Sequence, residues 1–351
     1  MDKTQFPVKF HGTAREYFGI WIVNLLLSIV TLGIYSAWAK VRTNKYFYQN
    51  TEIGGRRFDY HATGGQILIG RIIIVLGFIA VQILALVPIA LAVVMVAFIF
   101  VFPWLLVRSL RFNARVTSWS NVRFNFHGKT GGAFLVYLLY PFLVIFTLFL
   151  AWPFVDRARR KYAIGHHSLG QSRFTLDAGI GQFYGAFFAF LGIVLIVLAL
   201  SLASALPVLL ALVSDIRLLE NDAFLLGNMM LIVQAYIGVI AAFVIAGIVY
   251  AAIIRNILFG ATWIEGGHRL RSTVSIPRYV WISLTNALAI ILTLGLMLPW
   301  AKVRMARYLA DQTEVIVNGD LDDFIGDIIP EGGAFGDAYT DLEAIDVGLP
   351  V

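Results

Sequence analysis

The chain contains no cysteine. That excludes disulfides, thiolate metal sites and a cysteine nucleophile. Charge is scarce as well: 14% of residues are charged and 59% are apolar, with a mean hydropathy of +0.80. Soluble domains carry about 25% charged and about 45–50% apolar residues. The missing charge leaves long gaps. Between residues 66 and 107 the single charged side chain is Arg71, and residues 182–214 and 279–300 have none. Uncharged apolar runs of about 18 or more residues read as membrane helices, which excludes an ordinary soluble domain. The opening MDKTQFPVKF has no apolar segment ahead of a cleavage site, so the first apolar helix is the expected insertion signal. Bases are missing at one end: no Lys or Arg follows Arg307, while 11 of the 21 acids lie from Asp311 to Asp346. No P-loop, Rossmann glycine pattern or His-Glu-x-x-His is present, and the paired glycines read as turns. The expectation is a protein that is not an enzyme and carries no cofactor.

What is there is a recurring stretch. TLGIYSAWAKVRTNKY at residues 31–46 returns as TLGLMLPWAKVRMARY at 293–308, and in altered form as TLFLAWPFVDRARRKY at 147–162. Self-similarity of this kind predicts one unit used several times. Five apolar blocks follow, at residues 16–48, 65–115, 133–162, 181–263 and 279–308. Short alternating segments punctuate them: VKFHG, FDYHA, FNFHG, FTLDA and, more weakly, VSIPR and VIVNG. These read as short strands. The predicted fold class is an all-α polytopic membrane protein, with repeated helix-hairpin units and a small strand layer at the cytoplasmic face. Residues 1–327 form one membrane domain, and 328–351 an acidic, disordered tail. The whole stretch after Asp311 reads as mostly solvated.

Two topologies compete. If each short block crosses once, seven spans result and the bases divide almost evenly between the two sides. If every block is a hairpin returning to its own side, all but Arg217 of the 27 Lys and Arg share one compartment. The positive-inside rule favours hairpins. Against that, about 15 residues before Thr31 make roughly 22 Å of helix, short of the ~30 Å hydrocarbon core.

TLGIYSAWAKVRTNKYFYQNT and the flanking F-x-F-x-G strands together resemble the YjgN family, bacterial inner-membrane proteins grouped as a domain of unknown function. The resemblance runs from about Phe6 to Asp327. It implies an inner-membrane location and no known activity, catalytic residue or cofactor.

Three groups of residues invite a functional reading. Lys40, Arg42, Arg108, Arg157, Arg255, Lys302 and Arg304 stand at helix ends, most of them just after a Trp. They read either as interfacial anchors or as a converging site for lipid headgroups or another anion. His11, His61 and His127 share a slot before a small residue, with Asp177, Asn318 and Pro277 in the other copies. They read as turn-closing residues or, more weakly, as metal ligands. Arg71, Asn24, Gln82 and Gln234 lie at depth and read as interhelical hydrogen-bonding groups rather than a proton path. The bases lie beside apolar runs, so the expected partners are membrane lipids and not nucleic acid. A homo-oligomer or protein partner stays open. The expected function is a lipid-interacting or scaffold component with a basic cytoplasmic surface; a channel or transporter for a small or anionic solute is the alternative.

Overall fold

The computed structural model describes residues 3–328. Its strands are β1 (Lys3–Phe10), β2 (Thr51–Ile53), β3 (Arg56–Tyr60), β4 (Thr117–Trp119), β5 (Val122–Phe126), β6 (His167–Leu169), β7 (Ser172–Leu176), β8 (Thr262–Ile264), β9 (His268–Ser272) and β10 (Thr313–Asn318). They close into a single antiparallel barrel in chain order, with β10 pairing back onto β1. The expected all-α fold with a small strand layer is therefore corrected: the strands form a closed barrel. Strands of three to eight residues leave unpaired edges in any open layer, and closure removes those edges.

Five helical hairpins are inserted between consecutive strands. They are α1 (Ala14–Val30) with α2 (Ser36–Gln49); α3 (Gly64–Leu84) with α4 (Pro88–Arg115); and α5 (Thr130–Ala133), a π-helical stretch Phe134–Leu139 and α6 (Tyr140–Phe146) with α7 (Trp152–Gly165). The last two are α8 (Ile180–Ser214) with α9 (Asp222–Ala261), and α10 (Ile276–Leu292) with α11 (Leu298–Asp311). The other connections are tight turns. Gly54-Gly55 and Ser120-Asn121 hold the positive φ values that two-residue hairpins require. Tight turns and helical hairpins alternate along an antiparallel meander. Every hairpin thus leaves and re-enters at one end of the barrel, and every tight turn lies at the other. Neighbouring hairpins pack side by side, and α11 meets α1 to complete the circle.

Four helices, α3, α4, α8 and α9, are long and apolar enough to cross a membrane. The first, third and fifth hairpins are shorter and bend sharply at Thr31, Thr147 and Thr293. Each of these Thr hydroxyls donates to a carbonyl four residues back (Leu27, Leu143, Ala289; 2.6–2.7 Å) and accepts from an amide four residues on (Tyr35, Ala151, Met297; 2.9–3.1 Å). One side chain so gives an orphan donor its acceptor where no water is assured, while the carbonyl, already bonded by the Thr amide, accepts a second time. The next two residues are left-handed: Leu32-Gly33, Leu148-Phe149 and Leu294-Gly295.

The end of the barrel away from the hairpins is plugged by α12 (Leu321–Ile328), whose Leu321, Phe324, Ile325 and Ile328 are buried in the barrel core. A Cβ on Gly170 would stand 1.8 Å from the Ile328 carbonyl oxygen, so only glycine allows this approach. The reading of everything after Asp311 as solvated is therefore wrong up to Ile328, because strand β10 and this helix complete the barrel. The remainder of the predicted acidic tail lies outside the described residues.

Strand placement departs from the expectation in two further ways. β2, β4, β6 and β8 have three residues each, too few to display an alternating pattern. The segment VSIPR is not the ninth strand: β9 is His268–Ser272, and α10 begins at Ile276 with Pro277 in its first turn.

Candidate functional site

The strand pattern explains the barrel interior. In F-x-F-x-G type segments, alternate side chains face inward, and Phe58, Phe124 and Phe174 form a continuous stack across three strands, with ring centroids 6.3–6.4 Å apart. They line a chamber of about 370 Å³. Leu321 and Phe324 of α12 form its floor, and Phe47, Phe259 and Leu309 of three different helices close its upper end. One charged residue lines it, Arg255 on α9. Its guanidinium stacks over Phe259 at 4.3 Å and donates from Nη2 to Thr313 Oγ1 at 2.9 Å. Its Nε is buried without a partner, and among the described residues no carboxylate reaches it within 4.0 Å.

The other basic candidates do not converge with it. Arg157 Nε donates to the Ala178 carbonyl at 2.7 Å, tying the third hairpin to the start of the fourth. The same tie runs from Arg111 to Gly128 (3.1 Å) and from Arg307 to Gly12 (3.0 Å), with Asn256 to Val274 (2.9 Å) filling the role between the fourth and fifth. Each grips the backbone just past a strand end on the next hairpin. The sequence showed these as basic faces; their acceptors are backbone carbonyls, which no residue pattern displays. Arg42 and Arg304 reach inside their own hairpins, to the buried Asn24 (3.3 Å) and Asn286 (2.9 Å). Each Asn in turn donates to the carbonyl of Ala39 or Ala301 on the returning helix.

Two clusters keep basic groups at the surface. Arg108, Arg111 and Arg115 line a cleft with Trp104 and Thr130. Arg278, Arg304 and Arg307 line another with Trp300 and Asp311. Guanidiniums lie over aromatic rings in both, Arg108 on Trp104 (5.3 Å) and Arg304 on Trp300 (5.0 Å). Lys302 is exposed, and Lys40 is half-buried and has a partner. Trp38, Trp104 and Trp300 each stand 13 residues ahead of the strand that follows, about 20 Å along the helix.

The three histidines stand apart around the barrel rim. His11 Nε2 pairs with Glu52 (3.0 Å), His61 Nε2 with Ser118 (2.8 Å) and His127 Nε2 with Ser168 (3.0 Å). Each stitches its strand end to a neighbouring strand. Among the described residues no three His, Asp or Glu gather to hold a metal ion. Burial, with Arg173 as the next cause, lowers the His127 pKa, and burial lowers that of His167. In the fifth segment the slot belongs to Thr273, whose amide bonds the Gln312 carbonyl as the His11 amide bonds Asn50. Pro277 and Asn318 do not occupy it.

A tyrosine closes the foot of each short hairpin. The hydroxyls of Tyr46, Tyr162 and Tyr308 donate to the backbone carbonyls of Thr13, Lys129 and Ser275 at 2.8–3.1 Å. Burial pushes the Tyr46 and Tyr162 phenols up to about 12, so both donors keep their protons at neutral pH. Of the polar residues at depth, Arg71 on α3 donates to Ser36 Oγ at the bend of the first hairpin, while Gln82 and Gln234 are exposed on the outer helical surface.

A family model described as "Bacterial protein of unknown function (DUF898)" matches residues 5–342. Two relatives named inner membrane protein YjgN, from Escherichia coli O157:H7 and from strain K12, are each 34% identical over 146 residues, 41% of this chain. The chain spans 37% of the length of those two relatives. A relative of the same name from Salmonella typhimurium is 26% identical over 366 residues, covering 92% of this chain and 90% of the relative. No solved structure matches.

Proposed function

The chain belongs to the DUF898 family and is a multi-pass inner-membrane protein, and from that premise we propose a non-catalytic, lipid-interacting role in one leaflet. In this reading the two long hairpins cross the bilayer, while the three short ones press their bends into the leaflet facing the barrel. The observation that carries it is the exposure of the bends: Leu32 94%, Leu148 84% and Leu294 95%. Each leucine contributes about 1.5–3 kcal/mol when buried in an apolar phase. Below the bends lie Trp residues and the two arginine clefts, where headgroups meet bidentate donors. By the positive-inside rule the barrel and its arginines face the cytoplasm.

The reading predicts selective retention of anionic lipid. The full chain is washed in detergent after reconstitution with equal phosphatidylglycerol and phosphatidylcholine, and retained lipid is counted by native mass spectrometry. Wild type retains several-fold more phosphatidylglycerol, and Arg108→Gln with Arg278→Gln removes the preference. Equal retention of both lipids by wild type would overturn the proposal.

A further inference from the structure

We propose that the barrel chamber is a binding site for a single-chain amphiphile with an anionic head, the tail lying among the lumen phenylalanines and the head on Arg255. Three observations combine. The chamber, at about 370 Å³, has the size of a small-molecule site. Its wall is almost wholly apolar, with the Phe58–Phe124–Phe174 stack as one side. At its upper end stands one guanidinium with no carboxylate partner among the described residues and with Nε buried and unbonded. A cation held against an apolar space without a counter-ion is costly, and a ligand that brings the anion relieves that cost. An uncharged hydrocarbon would fill the space and leave the guanidinium unpaired. A small hydrophilic anion would meet the guanidinium and leave the aromatic wall unfilled. A carboxylate or phosphate on one acyl chain answers both, and arginine binds either group through paired donors.

This site does not depend on the bends or on the surface clefts, because Arg255 belongs to neither. Two sources share the required chemistry, a free fatty acid and a lysophosphatidic acid. Photoreactive forms of palmitate, lysophosphatidate and hexadecanol, each with a diazirine on the tail, are added in turn to the full chain in nanodiscs. Crosslinked positions are then read by peptide mass spectrometry. At least one anionic probe labels Phe58, Phe124, Phe174 or Leu270, and the stronger of the two identifies the source. Hexadecanol labels those positions at least tenfold less. Arg255→Gln lowers anionic labelling of the lumen at least tenfold, and Leu270→Trp, which fills the chamber, lowers it for every probe. Labelling confined to the outer helix faces overturns the proposal, as does lumen labelling equal for hexadecanol and the anionic probes. The probes are compared on wild type, so the test stands even where a variant fails to fold.

Discussion

The fifth hairpin and the third turn the same corner with different side chains. In the fifth, the returning helix is held by Arg304 on the buried Asn286, the bend uses Gly295, and Lys302 is exposed. At the matching positions the third has Ala158, Tyr140, Phe149 and Asp156. Asp156 is buried and accepts from Tyr250 (2.8 Å) on the neighbouring long hairpin and from Arg160 (3.3 Å) on its own helix. Among the described residues the π-helical stretch ahead of Tyr140 also belongs to the third alone; Pro141 removes an amide there and the helix widens. The bend itself is common to both, set by the Thr hydroxyl and its two backbone bonds. Such a corner therefore tolerates loss of the glycine and of the internal Asn–Arg tie, provided another hairpin supplies the anchoring contact.

The largest test of that contrast is Asp156→Ala. It leaves the half-buried Tyr250 hydroxyl without its charged acceptor, a bond that contributes about 1.5–3 kcal/mol, while the exposed Arg160 turns to water. A loss of about 3 kcal/mol is expected in denaturant unfolding in micelles. Lys302→Ala at the matching position should stay within about 0.5 kcal/mol. Equal losses would break the comparison. Next comes Asn286→Leu, which removes the buried amide's bonds to Arg304 and to the Ala301 carbonyl, leaves Arg304 on Thr285 alone, and should cost about 2 kcal/mol. Tyr140→Leu, with no such tie to a returning helix to lose, should cost less by the same measurement.

Much of this corner is legible in the sequence, because the Thr-Leu-Gly run, the Trp and the basic residues recur with fixed spacing. The closed barrel is not. Eight of its ten ladders involve a three-residue strand, and closure depends on residues 3–7 meeting residues 314–318 across the whole chain. The basic helix ends show in the sequence as positions, but their roles do not, since Arg157 and Arg307 act on backbone carbonyls. By sequence, Arg255 groups with the surface bases. Only the barrel shows it opening onto an apolar chamber.

A smaller effect concerns the bend residue. Phe149 sits at φ +69° where its counterpart Gly295 sits at +93°. Phe149→Gly should stabilise by about 1 kcal/mol and Gly295→Phe should destabilise by a similar amount, since left-handed backbone costs a non-glycine residue about 1–2 kcal/mol. Matching signs in thermal melts would refute the strain argument. The smallest expected effect is on pH. His127 and His167 flank the third hairpin and both have pKa values lowered from 6.5. Below about 6.5 the unfolded chain binds protons that the folded chain does not, so stability is full above that pH and falls as pH drops further. His127→Asn should flatten the fall in melting temperature between pH 7 and pH 5. The fifth segment has Thr273 in that slot, and Thr273→Ala should leave the slope unchanged.

The central claim is that all five hairpins return to one side and that only the long ones reach the other. The absence of cysteine makes single-site labelling in intact cells direct. Cysteines at Asn121 and Gly266 in the barrel turns, at Asn221 in the long α8–α9 connection, and at Leu32 and Leu294 in the short bends give the answer together. The account predicts reaction with a membrane-impermeant maleimide from the periplasm at Asn221 alone, with the turns reacting only after the inner membrane is opened and the short bends shielded by lipid throughout. Periplasmic labelling at Leu32 or Leu294, or at either barrel turn, would contradict it.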